Sequence, residues 1–111
     1  MKVAIIGSRN IEIREIERYI PENITEIVSG GARGIDLCAA DYARKKGILL
    51  TEFLPEYNIY GRGAPIVRNK KIVDHSDVVI AFWNGSSKGT RSVIDYCKKV
   101  GKECKVVYVE V

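Results

Sequence analysis

The chain has 111 residues, 18 basic and 14 acidic, for a net charge of +4; 46% are hydrophobic and 29% charged. That balance belongs to a globular domain rather than a disordered chain, and the length suits one domain with one core. It leaves no room for a second catalytic domain, so any site must come from the loops of one layered unit or from a second copy of the chain.

The mild positive charge permits an anionic partner without demanding one. No apolar run reaches membrane length, and MKVAIIGSRN is too short in apolar residues for a secretory signal, so a cytoplasmic protein with no membrane partner is expected. Cys38, Cys97 and Cys104 are odd in number and lack a C-x-x-C spacing, which predicts neither a disulfide framework nor a metal site; no cofactor is expected.

In chain order, Lys2 to Ile6 is a short β-branched run and reads as a buried strand. Residues 11 to 20 place Ile13, Ile16 and Ile20 on one helical face, and Pro21 stops that helix. Thr25 to Ser29 is a second strand. Gly34 to Lys46 is a helix with Ile35, Cys38, Ala39, Tyr42 and Ala43 apolar and Gly47 at its end. Ile48 to Phe53 is a third strand, followed by a loop of ten residues from Leu54 to Gly63. Ala64 to Ser76 is a helix opened by Pro65. Asp77 to Trp83 is the most apolar strand. Thr90 to Val100 is the last helix, ended by Gly101, and Lys105 to Val111 is a fifth strand.

Strands that alternate with helices predict parallel pairing through right-handed crossovers. The expected fold is α/β: a three-layer, Rossmann-like single domain over residues 1–111. Its five-stranded parallel sheet has the order 3-2-1-4-5. Ligands in such sheets sit beyond the carboxyl ends of the strands, at the switch between strands 1 and 4.

Three strand-to-helix loops are rich in glycine and small polar residues, and this topology puts them on one rim. They are Gly7, Ser8, Arg9 and Asn10; then Ser29, Gly30, Gly31, Ala32, Arg33 and Gly34; then Asn84, Gly85, Ser86, Ser87, Lys88, Gly89 and Thr90. Glycine lets backbone approach a ligand, and amides at helix N-termini favour an anion. Each loop alone is an ordinary turn; their convergence points to one pocket. The dinucleotide fingerprint G-x-G-x-x-G and the P-loop are absent, and a nucleophile elbow is not expected.

Asp36 lies in the first turn of its helix, where it either accepts loop amides or binds a sugar hydroxyl. Arg68 and Asn69 open the basic part of the third helix; Arg68 can pair bidentately with phosphate or form an exposed ion pair. Trp83 is either a wall for a flat base or a cap on the core. His75 is expected to be a helix C-terminal residue rather than a base.

Together IIGSR, SGGARGID, GAPIVRNKKIVDHSDVVIAF and GSSKGT resemble the SLOG superfamily over nearly the whole chain. That superfamily includes the lonely-guy phosphoribohydrolases and the Rossmann-like core of DNA-processing protein A, and the likeness is greatest to its small stand-alone YspA-like branch. The resemblance implies a nucleotide or nucleotide-derived ligand, such as an ADP-ribose-like compound. The lonely-guy enzymes carry P-G-G-x-G-T-x-x-E, and here Val93 stands at the glutamate position. Binding without that hydrolysis is therefore the leading expectation, with Arg9 and Arg68 as clamps. The alternatives are cleavage of a nucleotide N-glycosidic bond with Asp36 or Glu52 as the acid, Asp36 alone being expected near the rim, and single-stranded DNA binding. Scattered charge and the lack of an aromatic platform disfavour nucleic acid. A homodimer that completes the pocket is a further expectation.

Overall fold

The aliphatic runs form strands β1 (Lys2–Gly7), β2 (Glu26–Ser29), β3 (Leu49–Glu52), β4 (Val78–Trp83) and β5 (Glu103–Tyr108). The structure, a computed structural model, describes residues 1–13, 15–31 and 34–110. All neighbouring strands pair in parallel, in the order β3-β2-β1-β4-β5. Helices α1 (Ile35–Lys46), α2 (Tyr57–Tyr60), α3 (Ala64–His75) and α4 (Lys88–Val100) connect them. This is the three-layer Rossmann-like arrangement expected from the alternation of strands and helices.

Alternation along the strands sorts the core into two layers. Val3, Ile5, Ile27, Ile80 and Phe82 point to the α1 face, where they meet Ile35, Ala39 and Ala43. Ala4, Ile6, Val28, Val79 and Ala81 point to the other face, against Ile72 and Val73 of α3 and Val93, Ile94 and Cys97 of α4. The small residues Ala39 and Ala43 let α1 lie close to the sheet. Among the described residues, no helix is long and apolar enough to cross a membrane.

Four segments depart from the sequence reading; one is β5, which begins two residues earlier than expected and ends at Tyr108, with Tyr108 pairing Trp83 at the end of β4. The described residues of 11–20 form no α-helix; their regular part is a 3-10 turn at Ile16–Arg18. Ile11, Ile16 and Ile20 are nevertheless buried in the α1 layer. The Ile11 amide bonds the Ser8 carbonyl at 3.3 Å, and the Ile11 carbonyl lies beside Gly34. Burial and backbone anchoring here override a weak helical period carried by β-branched residues of modest helix propensity. The stretch read as a loop holds α2 and a 3-10 turn, Gly61–Gly63, that leads into α3. Helix α4 starts two residues earlier than its apolar stripe, at Lys88, because Ser87 caps it: the Ser87 hydroxyl accepts from the Thr90 amide.

At the opposite end of the sheet from the strand-to-helix loops, His75 Nε2 lies 2.6 Å from Glu26 Oε2, and its ring stacks edge-on against Phe53. His75 thus ends α3, as expected. Burial pushes the Glu26 carboxyl up, but bonds from His75 and Thr51 and the charges of His75 and Lys2 outweigh it, and the net shift is downward. A carboxylate depressed in the folded state stabilises fully above its unfolded value and loses that contribution as pH falls through the folded one. Glu26→Gln should therefore lower Tm at neutral pH, with a difference from the wild type that shrinks below about pH 4.5; melting curves across pH 2.5–7, estimated to bracket this range, check it.

Gly7 ends β1 where α1 crosses it. A Cβ there would lie 2.6 Å from Ile35 Cγ1 and 2.9 Å from the Phe82 carbonyl. Gly7→Ala should cost about 1–3 kcal/mol by overpacking, read as a lower urea midpoint at unchanged slope.

Candidate functional site

From β1 the chain passes over one face of the sheet and from β4 over the other, so the loops part at the carboxyl edge. A cleft of about 370 Å³ lies there. Gly7, Ser8, Arg9 and Asn10 line it from the β1 loop, Gly30 from the end of β2, and Asp36 from α1. Pro65, Arg68, Asn69 and Ile72 enter from α3; Asn84, Ser87, Gly89, Thr90 and Val93 enter from the β4 loop and α4; Ile6 forms part of the floor. The volume lies within the usual range for small-molecule sites.

The α4 end is a prepared set of donors. Asn84 Oδ1 accepts from the amides of Ser86 and Ser87, each at 2.9 Å, which fixes the turn before the helix. Ser87 Oγ takes the Thr90 amide, so the amides of Lys88 and Gly89 remain at the helix start with no acceptor within the helix. Gly89 is exposed, has no positive φ, and a Cβ on it would meet nothing within 4 Å. Neither backbone shape nor packing calls for glycine there.

Ser8 lines the same cleft as this helix start. Its backbone is held on both sides: the amide donates to the Phe82 carbonyl at 3.2 Å, and its own carbonyl accepts from Ile11. The residue is 4% exposed, and its hydroxyl finds no hydrogen-bond partner among the described residues. Leaving a buried hydroxyl unpaired costs about 1–3 kcal/mol, which folded proteins rarely accept without a reason.

The opposite wall is built on Arg68. Its Nη1 donates to the carbonyls of Gly30 at 2.9 Å and Phe53 at 3.4 Å, and its Nε donates to Asn69 Oδ1 at 2.8 Å. The guanidinium is thus fixed in plane rather than swinging in solvent. Burial lowers its pKa and the nearby Asp36 carboxylate raises it, for a net downward shift that still leaves it charged. Gly30 makes the meeting possible: its absent Cβ would lie 2.6 Å from Arg68 Nη1 and 3.1 Å from Asp36 Oδ2.

Eleven of the residues expected at the site line this cleft: Gly7, Ser8, Arg9, Gly30, Asp36, Arg68, Asn69, Asn84, Ser87, Gly89 and Thr90. Ser29 is fully buried, and its hydroxyl accepts from the Gly31 amide, bracing the turn. Gly31 lines an adjoining groove. Gly34, at φ 72°, is pressed against the carbonyls of Arg9 and Ile11. Trp83 is 9% exposed, packs on Tyr108 and donates from Nε1 to the Ser87 carbonyl at 3.0 Å, so it braces the loop and caps the core. With Gly85, Ser86 and Lys88 it lines a separate groove on the outer side of α4. Ala32 and Arg33 lie outside the described residues.

The sequence reading missed Pro65, Ile72 and the lining role of Val93. Pro65 and Ile72 stand three and four residues from Arg68 on one face of α3, as Val93 stands three from Thr90 on α4, and that spacing was the available signal. It also missed that Glu52 ends β3 on this same rim, its Oε2 3.3 Å from where a Gly31 Cβ would be.

Gly85, Ser87 and Gly89 do satisfy the spacing G-x-S-x-G, contrary to expectation. The geometry of a nucleophile is nevertheless absent. Ser87 is an extended helix cap at φ −61°, its hydroxyl engages Thr90, and the chain's single histidine is bonded to Glu26 at the far end of the sheet.

No family model matches the chain. A stretch of 32 residues is 44% identical to the uncharacterized SPbeta prophage-derived protein YoqJ of Bacillus subtilis (strain 168). The match covers 29% of this chain and 19% of that relative, so the chain spans about a fifth of the protein it resembles.

Two glycine substitutions should separate packing from binding. Gly30→Ala should dislodge Arg68 and lower stability by roughly 1–3 kcal/mol. Gly89→Ala should leave stability unchanged or raise it by up to about 1 kcal/mol, because it adds helix propensity in open space. Denaturant unfolding of both variants measures the contrast.

Proposed function

We propose that the cleft binds a nucleotide-type ligand through a phosphate group seated between the start of α4 and Arg68. The observation that carries this reading is the buried hydroxyl of Ser8, which has no hydrogen-bond partner among the described residues and belongs to the same cleft as the start of α4. A phosphate oxygen there would accept from Ser8 and from the amides of Lys88 and Gly89, with Arg68 and Arg9 supplying charge. Asp36 does not suit a phosphate contact; beside Arg68 it suits a sugar hydroxyl, an O–H donor. The residue order also supports reading the chain as a SLOG-type domain. Val93, buried against the sheet at the position of the lonely-guy glutamate, favours binding over that mode of cleavage.

Thermal melts with AMP, ADP-ribose, NAD and inorganic phosphate at millimolar concentration test the reading. At least one phosphate compound should raise Tm, and a panel with no shift overturns it. Ser8→Ala gives the sharper test. It should stabilise the free protein by roughly 1 kcal/mol, since it removes an unsatisfied buried group, while weakening the phosphate ligand by about tenfold.

A second reading rests on Asp36, a residue 7% exposed at the cleft wall. It would act on the N-glycosidic bond of a bound nucleotide. Release of free base from a nucleoside monophosphate, abolished in Asp36→Asn, is the result that would favour it.

A further inference from the structure

The cleft does not end at Arg68. Adjoining it is a groove of about 580 Å³ lined by Arg9, Asn10, Gly30, Gly31, Leu54, Pro55 and Arg68. Arg9, Asn10, Gly30 and Arg68 line both hollows, so the two are lobes of one depression that share the fixed guanidinium.

The first lobe sets hydroxyls, amides and Asp36 against aliphatic groups of Ile6, Pro65, Ile72 and Val93. The second adds to the shared residues Gly31 and an outer aliphatic edge: Leu54, which is 62% exposed, and the half-buried ring of Pro55. Exposed leucine at the mouth of a polar site is poorly placed for stability and well placed for contact with a flat apolar face. Its position is built in, because Gly31 gives it room: a Cβ on Gly31 would lie 2.7 Å from Leu54 Cδ2. Glu52, an exposed residue outside the groove's lining, brings its Oε2 to 3.3 Å from the same Gly31 Cβ position, and its carboxylate when ionised can only accept hydrogen bonds. Arg68, held by its three acceptors, offers a planar cation on which an aromatic ring stacks.

Resting on the phosphate reading of the first lobe, we propose that the second lobe is a heterocycle subsite that selects an amino-bearing base. The ring lies between Arg68 and the Leu54–Pro55 wall, and Glu52 accepts from the exocyclic amine. A base with an oxo group at that edge sets oxygen against the carboxylate and is disfavoured.

Calorimetric titration of the full chain with AMP, IMP and ribose 5-phosphate tests this. AMP should bind about tenfold or more tightly than ribose 5-phosphate and than IMP. Glu52→Gln should bring AMP and IMP to within about twofold of each other. Leu54→Ser, a change at an exposed position, should weaken AMP about fivefold more than it weakens ribose 5-phosphate. Equal affinities for AMP and ribose 5-phosphate, or an AMP preference that survives Glu52→Gln, would overturn the subsite and leave the phosphate lobe standing. If none of the three compounds binds, the phosphate reading falls and the subsite falls with it.

Discussion

Strands β1 and β4 are hydrogen-bonded neighbours, yet the chain leaves their carboxyl ends toward opposite faces of the sheet. Everything at the site follows from that divergence. The amide of Ser8 still bonds the Phe82 carbonyl, extending the pairing one residue past the strand before the loops separate. Side chains that would otherwise fill a core, Ile6 and Val93, become the floor and wall of a cleft. The place where a parallel sheet cannot close over itself is thus decided by strand order, before any polar residue is chosen.

The glycines at this edge answer to different forces. Gly7 and Gly34 are required by neighbouring atoms, one by Ile35 and the other by two carbonyl oxygens. Gly30 is required by the side chains of Arg68 and Asp36, which occupy the volume a Cβ would take. Gly89 is required by nothing among the described residues. Composition treats all four alike, and only packing separates those that shape the protein from the one that keeps a surface open.

This distinction explains what could be read in advance. The strands were legible because Val, Ile and Phe dominate them in short runs, and the order followed from their alternation with helices. The glycine loops were legible as a shared rim for the same reason. Residues 11–20 were misread because Ile13, Ile16 and Ile20 fit a helical period by chance of spacing, whereas the Gly34 turn holds the Ile11 carbonyl and burial of Ile11 fixes the path. Trp83 was ambiguous in sequence, since a wall for a ligand and a cap on the core need the same ring; its bond to the Ser87 carbonyl separates the two. The α3 side was legible only through Arg68 and Asn69, because the contribution of Pro65 and Ile72 depends on which way α3 is turned. The Ser8 hydroxyl, without a partner among the described residues, had no sequence signal at all, because burial and pairing depend on neighbours from other elements.

Arg68 belongs at once to the cleft and to the frame. Its guanidinium joins α3 to carbonyls at the ends of β2 and β3, and β3 is an outer strand with one sheet neighbour. An anion in the cleft would therefore compete with the sheet margin for this guanidinium. Occupancy that drew it inward would slacken the fastening of the outermost strand, so that tightness at that margin and saturation of the cleft would trade against each other.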